Sequence, residues 1–190
     1  MQWLRQASIQ EYAIWYLTRE ANKSKRALAP LDPRVAVATM NQEHRGKMRP
    51  WFQQVAKWSI VLLDPSEFER LIFLESDWTK TEGLVEVTAR PNYRTLSRVA
   101  ENAKRVEYLA RPSAQRHRSY HEAFQSGALA LAGDSRIAIC TAGDHERHHN
   151  PSGSFYLLDG VGRCLPYMML IQSDHLNYRA VEALLAEKLE

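Results

Sequence analysis

The run FYLLDGVGR, residues 155–163, closes an apolar stretch with a carboxylate, two glycines and a guanidinium. Gly160 and Gly162 permit backbone angles that side chains forbid and let a ligand approach the main chain closely. A helix opening there would turn unpaired N–H groups and a positive dipole end towards that ligand. Arg163 adds a fork suited to phosphate or carboxylate. Gly160, Gly162 and Arg163 are therefore candidate nucleotide-phosphate ligands. Asp159, at the end of the expected strand, has the chemistry to hold a metal ion or act as a base. The alternative is local: Asp159 caps the helix and Arg163 pairs with it.

Other constellations surround this turn. The loop GDHERHHN brings Asp144, His145, Glu146, His148 and His149 close together. Asp144 and His145 are candidate metal ligands beside Asp159, since a divalent ion stabilises charge on a scissile phosphate. The same loop reads equally as an exposed polar hairpin connection. Glu86, on an expected strand, is a candidate catalytic carboxylate or a plain strand residue. His117 and His121 lie one helical turn apart, but Arg116 and Arg118 would repel a cation from them.

Charge is distributed unevenly. The chain of 190 residues has a formal net charge of +3, yet residues 90–118 hold eight basic residues against Glu101 and Glu107. Arg98, Lys104, Arg105, Arg111, Arg116 and Arg118 are candidate contacts for a DNA backbone. Arg90 and Arg94, flanking Tyr93, are candidates for nucleotide phosphate. Residues 64–86 run the other way, with seven acidic residues against Arg70 and Lys80. Salt bridges between these two stretches are the alternative use of the arginines.

These side chains need elements to position them. Ser8 and Glu11 fit a capping box, so a helix is expected over 8–23. A short strand is expected at 35–39, and a helix carrying Trp51, Val55 and Trp58. Asp64-Pro65 marks a helix over 65–75. Residues 84–89, LVEVTA, alternate as a strand. Helices are expected from about 95 and over 113–131, then strands at 136–140 and 155–159. Helices over 163–172 and 177–189 close the chain. This pattern predicts an α+β protein: a helical N-terminal segment, 1–83, packed on a small mixed α/β unit, 84–190.

At 45% hydrophobic and 25% charged residues, the composition is that of a globular domain. All five tryptophans fall within the first 78 residues, which argues against a disordered front. Cys140 and Cys164 have no CxxC spacing, as expected of a protein in a reducing cytoplasm. The start MQWLRQASIQEY lacks the apolar core of a secretory signal, and no apolar run approaches the roughly 18 residues of a membrane span. Membrane association is expected only through a partner.

The order strand, VEVTARPNYRTLSRVAENA, strand RIAIC, then FYLLDGVGRCLPYMML resembles the ParB/sulfiredoxin superfamily. In that fold a strand ends in a short glycine-containing motif that closes on an arginine, opens a helix and binds nucleotide phosphate. Gly160 and Arg163 match the motif, and Asp159 matches its D-G-x-x-R form. Val161 stands where sulfiredoxins carry their catalytic cysteine, which argues against sulfinic-acid reduction. Gly162 stands where relatives have His or Arg, and no helix-turn-helix module follows. With its length and tryptophan-rich front, the chain looks like the oncogenic-suppression, or fertility-inhibition, proteins of conjugative plasmids. That resemblance implies ATP hydrolysis and Mg²⁺-dependent DNA cleavage by a cytoplasmic factor. It also implies a block of DNA transfer at the coupling protein of a type IV secretion system. A non-catalytic blocker acting by protein contact is the alternative, and a small-molecule kinase of the same fold is a third.

Overall fold

A computed structural model describes residues 1–23, 32–43, 55–73, 82–85, 95–141 and 155–188. Strand β1 (Gln2–Ala7) leads through Ser8 into helix α1 (Ile9–Lys23). The capping box is present: the Glu11 amide donates to Ser8 Oγ at 3.2 Å, and the Ser8 amide to Glu11 Oε2 at 3.1 Å. Helix α2 (Pro33–Glu43) then replaces the strand expected at 35–39. Its V-A-V-A run imitates strand alternation, but Asp32 and Pro33 start a helix there. The Arg34 amide donates to Asp32 Oδ1 at 2.8 Å, and Ala36 and Met40, one turn apart, are fully buried.

Strand β2 (Val55–Leu63) stands where a helix carrying Trp51, Val55 and Trp58 is expected; residues 51–54 lie outside the described residues. Trp58 and Ile60 belong to one core cluster, and Val61 and Leu63 to the other. Apolar residues on both faces suit an interior strand and hide the period of two. Helix α3 (Pro65–Glu69) starts as expected, with a reciprocal Asp64–Glu67 capping box, but stops short of residue 75. The two-residue strand β3 (Ile72–Phe73) follows.

Helix α4 (Leu96–Arg105) is capped by Thr95, and two 3₁₀ turns lead to α5 (Gln115–Gln125), shorter than the expected 113–131. Strands β4 (Ile137–Thr141) and β5 (Phe155–Asp159) agree with expectation. Helix α6 (Val161–Ile171) begins two residues early, so Gly162 is helical. The last expected helix, 177–189, is strand β6 (Val181–Lys188). Its VEALLAEK sequence favours a helix by propensity. Its place between β2 and β4, with Ala183 to Ala186 all buried, overrides that preference. Of the strand expected at 84–89, residues 84 and 85 form a bend; the rest lie outside the described residues.

One six-stranded mixed sheet has the order β1-β2-β6-β4-β5-β3, so the fold is α+β. Strands β6 and β4 run parallel, as do β3 and β5, while the other neighbours are antiparallel. The N-terminal part is accordingly not simply helical, and the division expected at residue 83 cuts across this sheet. Alternation along the strands splits the core. Tyr12, Leu17 and Met40 of α1 and α2 cover Trp58, Ile60, Ala138, Cys140 and Leu184 on one face. Val99, Phe124, Leu165 and Met168 of α4, α5 and α6 cover Val61, Leu63, Ile137, Ile139 and Leu185 on the other. Among the described residues no helix is long and apolar enough to cross a membrane.

Candidate anion site at the end of strand five

β5 ends at Asp159, and Gly160 reverses the chain into α6 with φ 110°, a left-handed conformation that favours glycine. A Cβ on Gly160 would stand 2.7 Å from Ile137 Cγ2, so the position excludes a side chain twice over. The Arg163 and Cys164 amides both return to the Gly160 carbonyl, at 2.8 and 2.9 Å. The Val161 and Gly162 amides, in the first turn, have no acceptor within the helix. In front of this turn lies a cavity of about 530 Å³, within the range of small-molecule sites.

Three elements besides the turn form its walls: α1 through Arg19 and Asn22, α5 through Arg116, His117 and Tyr120, and the approach to β4 through Asp134 and Ser135. Because α1 and α5 lie on opposite faces of the sheet, they meet only at its end, beyond Asp159. The local alternative for the charged pair is not what forms. Asp159 accepts the Gly160 amide on Oδ1 at 2.6 Å and pairs through Oδ2 with Arg19, not with Arg163. Arg163, 6% exposed, donates from Nη2 to the Arg136 carbonyl at 3.0 Å. Burial, then the nearby Arg19 charge, pulls its pKa below the ordinary arginine value. The guanidinium nevertheless stays charged at any physiological pH. Among the described residues, neither Arg163 nor Arg116 is paired with a carboxylate. Arg116 meets Tyr120, by a 3.3 Å contact to the hydroxyl and a guanidinium 5.6 Å from the ring centroid.

His117 forms part of the wall, its Nδ1 3.0 Å from the Tyr108 hydroxyl. Burial, reinforced by Arg116, pushes its pKa down to about 4, so the imidazole is neutral near pH 7. Burial raises the Cys164 thiol to about 12, which leaves an inert core group.

The structure thus brings together Asp159, Gly160, Gly162, Arg163 and Arg116. The remaining basic candidates among the described residues have partners within the chain. Arg98 pairs with Glu101 at 2.7 Å, Lys104 donates to the Gln172 carbonyl at 3.4 Å, and Arg105 reaches Asn102 Oδ1 at 3.4 Å. Arg111 pairs with Glu82 at 2.9 Å, a bridge between the basic and acidic stretches. Arg118 donates to the Leu109 and Arg111 carbonyls at 2.6 and 2.8 Å, tying the 3₁₀ turns to α5. Glu86, Arg90, Arg94, Asp144 and His145 lie outside the described residues.

Sequence reading missed Arg19, Trp15 and the cavity role of His117. Arg19 lies over the Trp15 ring, 4.9 Å from its centroid, and nothing local to α1 signals that the pair sits beside Asp159. Among the described residues no three His, Cys, Asp or Glu side chains gather to hold a metal ion. Asp159, engaged by Arg19 and the Gly160 amide, does not by itself form a cation site. Compared with known proteins, the chain matches no family model, no curated protein and no solved structure.

Proposed function

We propose that the chain binds a nucleoside phosphate, ATP in the first instance, with its phosphates at the N-terminal end of α6. One observation carries this reading: Arg163 is a buried cation without a carboxylate partner among the described residues, on a cavity bordered by the first turn of α6. The Val161 and Gly162 amides, the helix dipole and Arg116 add to the same field. An incoming phosphate competes with Asp159 for Arg19, which frees the carboxylate to act on water. Titration calorimetry with ATP tests the binding step. Arg116→Gln, on an exposed side chain, should weaken binding about tenfold with an unchanged melting temperature, and Arg163→Gln should abolish it. Absence of binding by the native protein would refute the proposal.

The resemblance to fertility-inhibition proteins extends this reading to ATP hydrolysis, DNA cleavage and a block of DNA transfer through a type IV secretion system. A second reading, inhibition by protein contact alone, is favoured by edge strand β1, where Trp3 is 57% and Leu4 40% exposed. Plasmid transfer from donor cells expressing each variant separates the two. Loss of inhibition in Arg163→Gln with retention in Trp3→Ser supports the nucleotide-dependent reading. The reverse pattern supports the contact reading.

A further inference from the structure

A second cavity, of about 300 Å³, adjoins the first and shares Arg19, Asn22 and Asp134 with it. Its chemistry differs. Ile14 and Trp15 supply apolar surface, and among the described residues the charges on its walls are paired except that of Asp134. Arg5 pairs with Glu11 at 2.7 Å, while Arg136 donates to the Gly133 carbonyl at 2.6 Å and lies 3.7 Å from Glu182. The first cavity holds two cations, Arg116 and Arg163, that have no carboxylate partner among the described residues, so the two cavities suit opposite ends of one molecule: an anionic head, then an uncharged flat group. Trp15 is held in place on both sides. Its Nε1 donates to the Asp134 carbonyl at 3.1 Å, and the Arg19 guanidinium that reaches Asp159 lies across its ring.

Resting on the phosphate reading above, we infer that the Trp15 cavity is the base subsite of a free nucleoside phosphate. The base packs against Trp15 and Ile14, and its polar edges meet Thr18 and Glu11. Arg19 and Asn22 line the passage between base and phosphates. Aromatic and guanidinium surfaces take any base by stacking, so this subsite favours nucleotides over bare polyphosphate rather than one base over another.

The readout is the ratio of affinities for ATP and inorganic tripolyphosphate, measured by calorimetry on the full chain. The native protein should bind ATP at least tenfold more tightly. Thr18→Trp, a change at an exposed helix position that fills the cavity, should bring the ratio close to one, as should Trp15→Ala. Two substitutions of opposite size guard against a folding defect in either, and melting temperatures check both. A ratio of one in the native protein overturns the base subsite while leaving the phosphate site standing. A ratio that survives both substitutions also overturns it. If neither ligand binds, the phosphate reading falls and the subsite with it. A 5′-phosphorylated single-stranded oligonucleotide that binds tenfold more tightly than ATP would reassign the paired cavities to a strand end and overturn the free-nucleotide inference.

Discussion

The two glycines of the turn look alike in sequence but should respond oppositely to alanine. Gly160 has φ 110°, and a Cβ there would come within 2.7 Å of Ile137 Cγ2 and 3.0 Å of Ile137 Cβ. Ile137 is fully buried beneath α4, α5 and α6 and cannot move aside freely. The left-handed backbone costs about 1–2 kcal/mol for alanine, and overpacking adds about 1–3 kcal/mol. Gly160→Ala should therefore destabilise by about 2–5 kcal/mol. At about 2–4 °C per kcal/mol for a domain of this size, the melting temperature falls by roughly 10 °C. A Cβ on Gly162 would meet Tyr120 Cε2 at 3.6 Å and His117 Nε2 at 3.7 Å, ordinary contact distances. Gly162→Ala lies in the first turn of a helix and should be neutral or stabilising by up to about 1 kcal/mol. Thermal and urea denaturation of both variants decide the matter. Equal loss in the two, or an unchanged Gly160→Ala, would refute the account of this turn.

Four further outcomes are expected. Because burial holds His117 at about 4 rather than the usual 6.5, the unfolded chain binds the extra proton first as pH falls. Stability is thus intact above pH 6.5 and declines towards pH 4, by on the order of 2 kcal/mol once solvent at the cavity mouth is allowed for; His117→Gln should flatten that slope in urea titrations at stepped pH. Arg19→Ala leaves the partly buried Asp159 without its cation and should cost about 1–3 kcal/mol. Adding Asp159→Asn should return part of that loss, and additive effects in the double-mutant cycle would deny the pair any coupling. Arg118→Ala, which frees the Leu109 and Arg111 carbonyls, should lower stability by about 1–3 kcal/mol. Arg105→Gln, on an exposed side chain, should leave stability unchanged, and under the proposed DNA-cleaving reading it should make DNA binding less salt-dependent by about one unit of slope, measured by fluorescence anisotropy across a salt series. Identical salt slopes for native and Arg105→Gln protein would remove that residue from any DNA interface.

Features set by near neighbours in the chain were legible from sequence. Ser8 with Glu11 and Asp64 with Glu67 announce helix starts because each box closes within one turn. The D-G-V-G-R turn was legible too, since positive φ at a strand end demands glycine and α6 follows directly. Asp32-Pro33 carried the same kind of signal for α2, outvoted in the reading by the alternating residues behind it. Strand β6 is different. Its residues favour a helix, and it is a strand because β2 and β4, both distant in sequence, bracket it and take its backbone hydrogen bonds, while the helices on either side of the sheet bury its two faces. Only the folded sheet supplies those partners. The partners of Asp159 and Arg163 were decided there as well. α1 and α5 lie on opposite faces of the sheet and converge past its end, so Arg19 takes the carboxylate while Arg163 turns to the Arg136 carbonyl. Sequence determined which groups stand at the turn; the sheet, by setting what lies across from them, determined which are engaged by a charged partner and which, among the described residues, are not.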